Sequence, residues 1–84
     1  MQNHTRNYLK AMDCDINTWI KCEIPDCNLH AVDIHHVIPR SKFGTKTKHI
    51  QDDIGNLVAL CRKHHEEAHS RDMKSELFEI IKQR

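Results

Sequence analysis

The sequence predicts a small α+β fold, a β-hairpin with a long connection between its strands, followed by a helix and then by more helix. Three stretches carry that expectation. AVDIHHVI, residues 31–38, is rich in β-branched side chains and is closed by Pro39, which a paired strand does not tolerate in its interior. NLVALC, residues 56–61, follows Gly55 as a second short apolar segment and reads as the returning strand. From Arg62 the pattern turns helical, and Leu77, Ile80 and Ile81, extended by Phe78, make an apolar stripe near the end.

The remaining elements follow in order. Residues 4–12 read as a short helix with Tyr8, Leu9 and Met12 on one side. Trp19 and Ile20 are expected to anchor the next segment to the core. KCEIPDCNLH, residues 21–30, reads as a knuckle, because Pro25, Asp26 and Asn28 favour tight turns. SKFGTKTKHI, residues 41–50, is a basic connection with a turn expected at Gly44. The expected organisation is a single domain over residues 1–84, with a core at about 19–70, an N-terminal extension at 1–18 and a C-terminal helix at 71–84.

A chain of 84 residues buries a small fraction of its surface and often needs a metal or disulfides to hold together. Hydrophobic residues at 38% and charged residues at 30% fit a folded domain rather than disorder. No apolar run approaches the roughly 18 residues of a membrane span, and MQNHTRNYLK lacks the apolar centre of a secretion signal, so a cytoplasmic protein is expected. In that reducing compartment the four cysteines are metal ligands or free thiols before they are disulfides. The formal charge of +1 says little, but its distribution says more. No acidic residue falls between Ile34 and Gln51, where Arg40, Lys42, Lys46 and Lys48 stand, while Glu66, Glu67, Asp72, Glu76 and Glu79 gather in the last third. The basic connection is either a solvated loop or a surface for a polyanion.

Two groups of candidate ligands stand out. Cys22 and Cys27 embrace the knuckle, and Cys61-x2-His64 opens the helix. Three thiolates and an imidazole suit tetrahedral zinc, which would supply folding energy to a thin core. Inert buried cysteines are the alternative; Cys14 in place of Cys22, and Cys61 paired with His65, are variants of the same site. The second group is His35, His36, His65 and His69. Residues four apart share a helix face, so His65 and His69 can hold one ion, while His64 lies about 100° away and faces another flank. His35 and His36 would point to opposite sides of a regular strand, so a shared site needs the backbone to bend or end near them. One of the pair could then bind metal and the other stay unliganded as a base.

Together these pieces resemble the HNH nuclease family, also called the ββα-metal or His-Me finger nucleases. The matching stretches are CEIPDC (22–27), DIHHVIP (33–39), NLVALC (56–61) and CRKHHEEAH (61–69), and the likeness covers residues 19–70. It implies a ββα-metal finger, a hairpin plus a helix, with a structural zinc knuckle and flanking helices. It implies His36 as the general base and His35, His65 and His69 as ligands of a catalytic metal. His35 stands at a position that many members fill with aspartate. Asn56 resembles the middle residue of the motif, whose amide ties the hairpin loop together and helps fix the base. Cys22, Cys27, Cys61 and His64 match the positions that hold structural zinc. The pattern departs from the family in three places. His64 replaces a common fourth cysteine, the first cysteine pair is wider than usual, and the glycine pair that often follows the histidine strand is absent.

The implied function is metal-dependent hydrolysis of DNA phosphodiester bonds, leaving 5′-phosphate and 3′-hydroxyl ends. The implied cofactors are one structural Zn2+ and one catalytic divalent cation, drawn from Mn2+, Ni2+, Zn2+, Co2+ or Mg2+. The implied partner is DNA, double-stranded, with Arg40, Lys42, Lys46 and Lys48 as backbone contacts. The stripe on the last helix either packs internally or makes a homodimer or larger complex. His4, His30, His49 and Cys14 have no assigned task. Two rival classes share parts of the pattern: a zinc-stabilised nucleic-acid-binding module without hydrolysis, which leaves His36, His65 and His69 idle, and a metal-stabilised protein-interaction domain.

Overall fold

The computed structural model describes residues 3–15, 17–39, 42, 44 and 50–84. Within them β1 (Asp33–His36) pairs antiparallel with β2 (Leu57–Leu60), matching Asp33 to Leu60, Ile34 to Ala59, His35 to Val58 and His36 to Leu57. A helix α1 (Asn3–Ala11) precedes the hairpin, and α2 (Arg62–Ser70) and α3 (Lys74–Gln83) follow it. This is the small α+β fold expected from the sequence, a β-hairpin followed by a helix, with helices on either side.

Directly opposed residues of an antiparallel pair share a face, and this register divides the molecule into two small cores. Val58 and Leu60 join Val37, the three cysteines Cys22, Cys27 and Cys61, Met73 and Leu77. The stripe of α3 closes over this core, with Phe78, Ile80 and Ile81 packed against it. Ile34, Leu57 and Ala59 face the other way and meet Tyr8 of α1, with Ile20, Ala31 and Ile54 at the edge. β2 is buried on both faces, which explains why its sequence is a continuous apolar run and not an alternation.

β1 is half as long as its composition suggests, for a specific reason. The Val37 N–H still reaches the Asn56 carbonyl at 2.9 Å, but the Ile38 N–H turns to the Asn56 side chain, so the ladder stops. The knuckle docks on the opposite edge. Glu23 donates its N–H to the Ala59 carbonyl at 2.9 Å. At the knuckle's tip Asp26 takes a left-handed φ of 66°, a conformation in which aspartate is enriched among non-glycine residues. The Lys21 ammonium bonds the carbonyls of Cys22 and Cys27 at 2.9 and 2.7 Å, closing the turn from outside.

A polar brace links the distant parts. The Glu23 carboxylate accepts from the Tyr8 hydroxyl at 2.8 Å, from the Ala59 N–H at 2.7 Å and from the Arg84 guanidinium at 2.9 Å. Arg84 also donates to the Ile54 carbonyl at 2.6 Å. Burial, and then the charge of Glu23, pushes the Tyr8 hydroxyl well above the usual tyrosine range.

Two expectations are corrected. Trp19 does not anchor the core; it is 61% exposed and stacks on His30 with ring centroids 5.5 Å apart, because the Lys21–His30 bridge holds that segment outside and turns only Ile20 inward. Met12 is 37% exposed, because α1 stops at Ala11. There the chain reverses through Asp13 at φ 55°, with Cys14 donating back to Leu9 and Asp13 to Lys10, a Schellman ending. Lys42 is exposed, while Arg40, Lys46, Lys48 and His49, and the neighbours of the turn expected at Gly44, lie outside the described residues. Among the described residues no helix is long and apolar enough to cross a membrane.

Candidate metal and catalytic centre

Cys22 and Cys27 from the knuckle meet Cys61 at the end of β2 and His64 in the first turn of α2, with all four donor atoms within 4.8 Å of one another. The separations are 3.9 Å for Cys27 Sγ to Cys61 Sγ, 3.5 Å for Cys22 Sγ to His64 Nδ1 and 3.2 Å for Cys61 Sγ to His64 Nδ1. A tetrahedral zinc with ordinary bond lengths sets its sulfurs about 3.8 Å apart and sulfur and nitrogen about 3.6 Å apart. A disulfide needs about 2.0 Å and is excluded for this pair. Buried in apolar surroundings, the Cys22 thiol is pushed up to about 11. Burial also presses on Cys61, but the His64 backbone N–H and the neighbouring thiols outweigh it and hold Cys61 below the ordinary range. The donor set therefore fits zinc. Cys14 stands apart, half-buried, with its thiol directed at the Met12 carbonyl.

One position further along α2 the surroundings change. His65 and His69, one turn apart, bring their Nε2 atoms to 3.3 Å, about the separation of two imidazoles on one tetrahedral ion. His35 lies across from both, its ring centroid 5.4 Å from each. The three rings form a second compact donor set. Burial, then the neighbouring histidines, lowers His35 to about 4, so its lone pair is available at neutral pH. Asp33, half-exposed, approaches His65 Nε2 to 3.6 Å at the edge of this set.

His36 points to the other face of the sheet. Its Nε2 lies 2.7 Å from Asp52 Oδ1, and its ring packs on His4 of α1 with centroids 4.5 Å apart. A carboxylate oxygen only accepts, so Nε2 carries a hydrogen in this contact, and in the neutral ring Nδ1 is then the acceptor. Although His35 and His36 face apart, both border one cavity of about 520 Å³, which His4, His65, His69, Arg71 and Lys74 also line. The early end of β1 makes this sharing feasible. Asn56, buried, holds that end in place through its side-chain bonds to Ile38 and Gln51.

Asp52 is absent from the sequence reading, and His4 is left there without a task. Asp52 is the first acid after the acid-free stretch, but no spacing rule links it to His36 sixteen positions earlier. His4 carried no motif. Arg71 is held by Glu67 and Glu76 at 2.8 Å and spends its charge there.

A family model described as HNH endonuclease matches residues 20–71. No curated protein and no solved structure matches the chain.

Proposed function

The chain belongs to the HNH endonuclease family, and on that premise we propose that it is a metal-dependent endonuclease hydrolysing phosphodiester bonds of DNA. The observation that carries this reading is the meeting, at one cavity, of a three-histidine donor set with a fourth histidine whose lone pair is directed by a carboxylate.

His36 takes the proton of the attacking water on Nδ1, the nitrogen that Asp52 leaves free. The water oxygen bonds to phosphorus, the phosphorus–O3′ bond breaks, and the departing oxygen gains a proton from solvent. Asn56 ties the chain just past β1, two residues from His36, to the returning strand. His35, His65 and His69 would hold the divalent cation, which when bound offsets charge on the phosphate and on the leaving oxygen. An all-imidazole set favours Zn2+, Ni2+, Co2+ or Mn2+ over Mg2+, which prefers oxygen ligands. Cys22, Cys27, Cys61 and His64 would hold a structural zinc, and a cytoplasmic, reducing setting suits such thiolates.

Arg40, Lys42, Lys46 and Lys48 contact the backbone of double-stranded DNA, positioning it without reading bases. Residues 1–84 act as a single nuclease domain; cutting of both strands is easier for a dimer, whereas a monomer nicks first. Supercoiled plasmid incubated with each cation in turn, beside a chelator control, tests the reading. Nicking with Mn2+ or Ni2+ that stops with chelator, leaving ends that ligase reseals, is the expected result. Tight zinc retention and DNA binding with no cleavage under any cation would instead establish the non-catalytic module.

A further inference from the structure

Building on the assignment of His36 as base, we propose that Asp52 is its positioning residue. Through Asp52 the N-terminal helix α1, ahead of the residues 20–71 that the family model covers, becomes part of the catalytic apparatus.

β1 alone cannot select which nitrogen of His36 faces the cavity. A half-turn of the ring puts carbons where Nδ1 and Nε2 stood, and a neutral imidazole has two tautomers of similar energy. An acceptor held at one nitrogen removes both ambiguities. Asp52 supplies it at 2.7 Å, and the pair is largely shielded, with side-chain exposures of 12% for His36 and 18% for Asp52. The same carboxylate then faces the imidazolium that forms when His36 takes a proton, as in other carboxylate–histidine pairs.

α1 holds this pair from behind. The Asn7 side-chain amide donates to the backbone carbonyl of Asp52 at 3.0 Å, fixing the loop residue to the helix. His4, three positions earlier and therefore on the same helix face, lays its buried ring against His36. The base is thus clasped by a carboxylate at its edge and a ring at its side, and both fixings depend on α1.

His4, His36 and Asp52 also form a group whose metal-binding atoms lie within 4.8 Å of one another. The 2.7 Å between His36 Nε2 and Asp52 Oδ1 is nevertheless a hydrogen-bond length. Nitrogen and oxygen ligands of one tetrahedral ion stand about 3.3 Å apart. The geometry is that of a hydrogen-bonded dyad and not of a third metal site.

The test uses the full, zinc-loaded chain and the variants Asp52→Ala, Asp52→Asn, Asn7→Ala and His36→Ala. Long-range proton–nitrogen NMR correlations of the imidazole read the His36 tautomer, the missing signal of His36→Ala providing the assignment. Plasmid nicking with Mn2+ gives kcat and KM. The wild type is expected to carry the His36 hydrogen on Nε2. Asp52→Ala becomes a tautomer mixture and loses roughly 10–100-fold in kcat, with KM for DNA and the Mn2+ dependence unchanged. Asp52→Asn, whose carbonyl oxygen still accepts, retains the tautomer and recovers part of the rate. Asn7→Ala lowers kcat in the same direction but less. A fully active Asp52→Ala beside a dead His36→Ala, or a wild-type hydrogen on Nδ1, overturns the role of Asp52. An active His36→Ala overturns the base assignment beneath it, while the NMR still reports whether Asp52 sets the tautomer.

Discussion

Asn56 and Ile38, eighteen positions apart, exchange two hydrogen bonds: the Asn56 Oδ1 accepts from the Ile38 N–H at 2.8 Å and its Nδ2 donates to the Ile38 carbonyl at 3.2 Å. A third bond, from Nδ2 to the Gln51 carbonyl at 3.0 Å, sews the returning chain to the same side chain. One amide therefore ties the start of the connection between β1 and β2, at Ile38, to its return at Gln51. Asn56→Ala leaves these backbone groups short of partners in a buried setting and is expected to cost about 1–3 kcal/mol. Asn56→Asp does no better, because a carboxylate would face two carbonyls. Urea unfolding of both variants measures the loss, and slower nicking by each accompanies it.

His64 and His65 are neighbours in sequence with different surroundings, and their substitutions should separate cleanly. His64→Ala removes a donor from the cysteine set that joins the knuckle to α2, and is expected to unfold the domain. His65→Ala removes a donor only from the His35 and His69 set, and is expected to leave folding and tight zinc intact while abolishing cleavage. Circular dichroism and zinc content, read beside nicking, distinguish the two. Equal folding of both variants would contradict the division of α2 into two metal-facing flanks.

Zinc removal should unfold the chain. Structural zinc in small domains contributes about 10–16 kcal/mol, more than or comparable to the roughly 5–15 kcal/mol that stabilises a whole domain. A strong chelator or Cys61→Ser is expected to erase the helical circular dichroism, and added zinc to restore the chelated wild type. Retention of helix after zinc is stripped would show that the two small cores suffice without it.

Tyr8 is the one tyrosine of the chain, so alkaline titration reads it without interference. Its hydroxyl is raised in the folded state from an ordinary 10.0. A raised folded pKa contributes stability that is fully present below the unfolded value and is lost as pH climbs from there toward the folded one. Phenolate absorbance should therefore be absent from the native protein at the ordinary value and appear together with unfolding. A phenolate signal near pH 10.0 with helix intact would contradict the burial of Tyr8 against Glu23.

What the sequence made legible was whatever depends on local period and ligand chemistry. His64, His65 and His69 lie in a single short stretch, so helical geometry sets His64 on one flank and His65 with His69 on another. Cys61 falls between them in projection, and its partner stayed open. Val58 and Leu60 against Leu57 and Ala59 follow from the two-residue period of a strand buried on both faces. What escaped depends on the path of the chain between elements. Asp52 reaches His36 only because the connection returns beside the end of β1, and His4 only because α1 packs on that face. Trp19 misled because its bulk suggested the core, whereas the Lys21–His30 bridge leaves no interior position for it.

The most direct test of the account compares wild type with His36→Ala on supercoiled plasmid in Mn2+, with zinc content and circular dichroism matched. The wild type is expected to nick the plasmid. The variant is expected to lose about 10²–10⁴-fold in rate while needing the same cation concentration. Equal cutting by the two proteins would contradict the assignment of His36 as base, and with it the chemistry placed at this cavity.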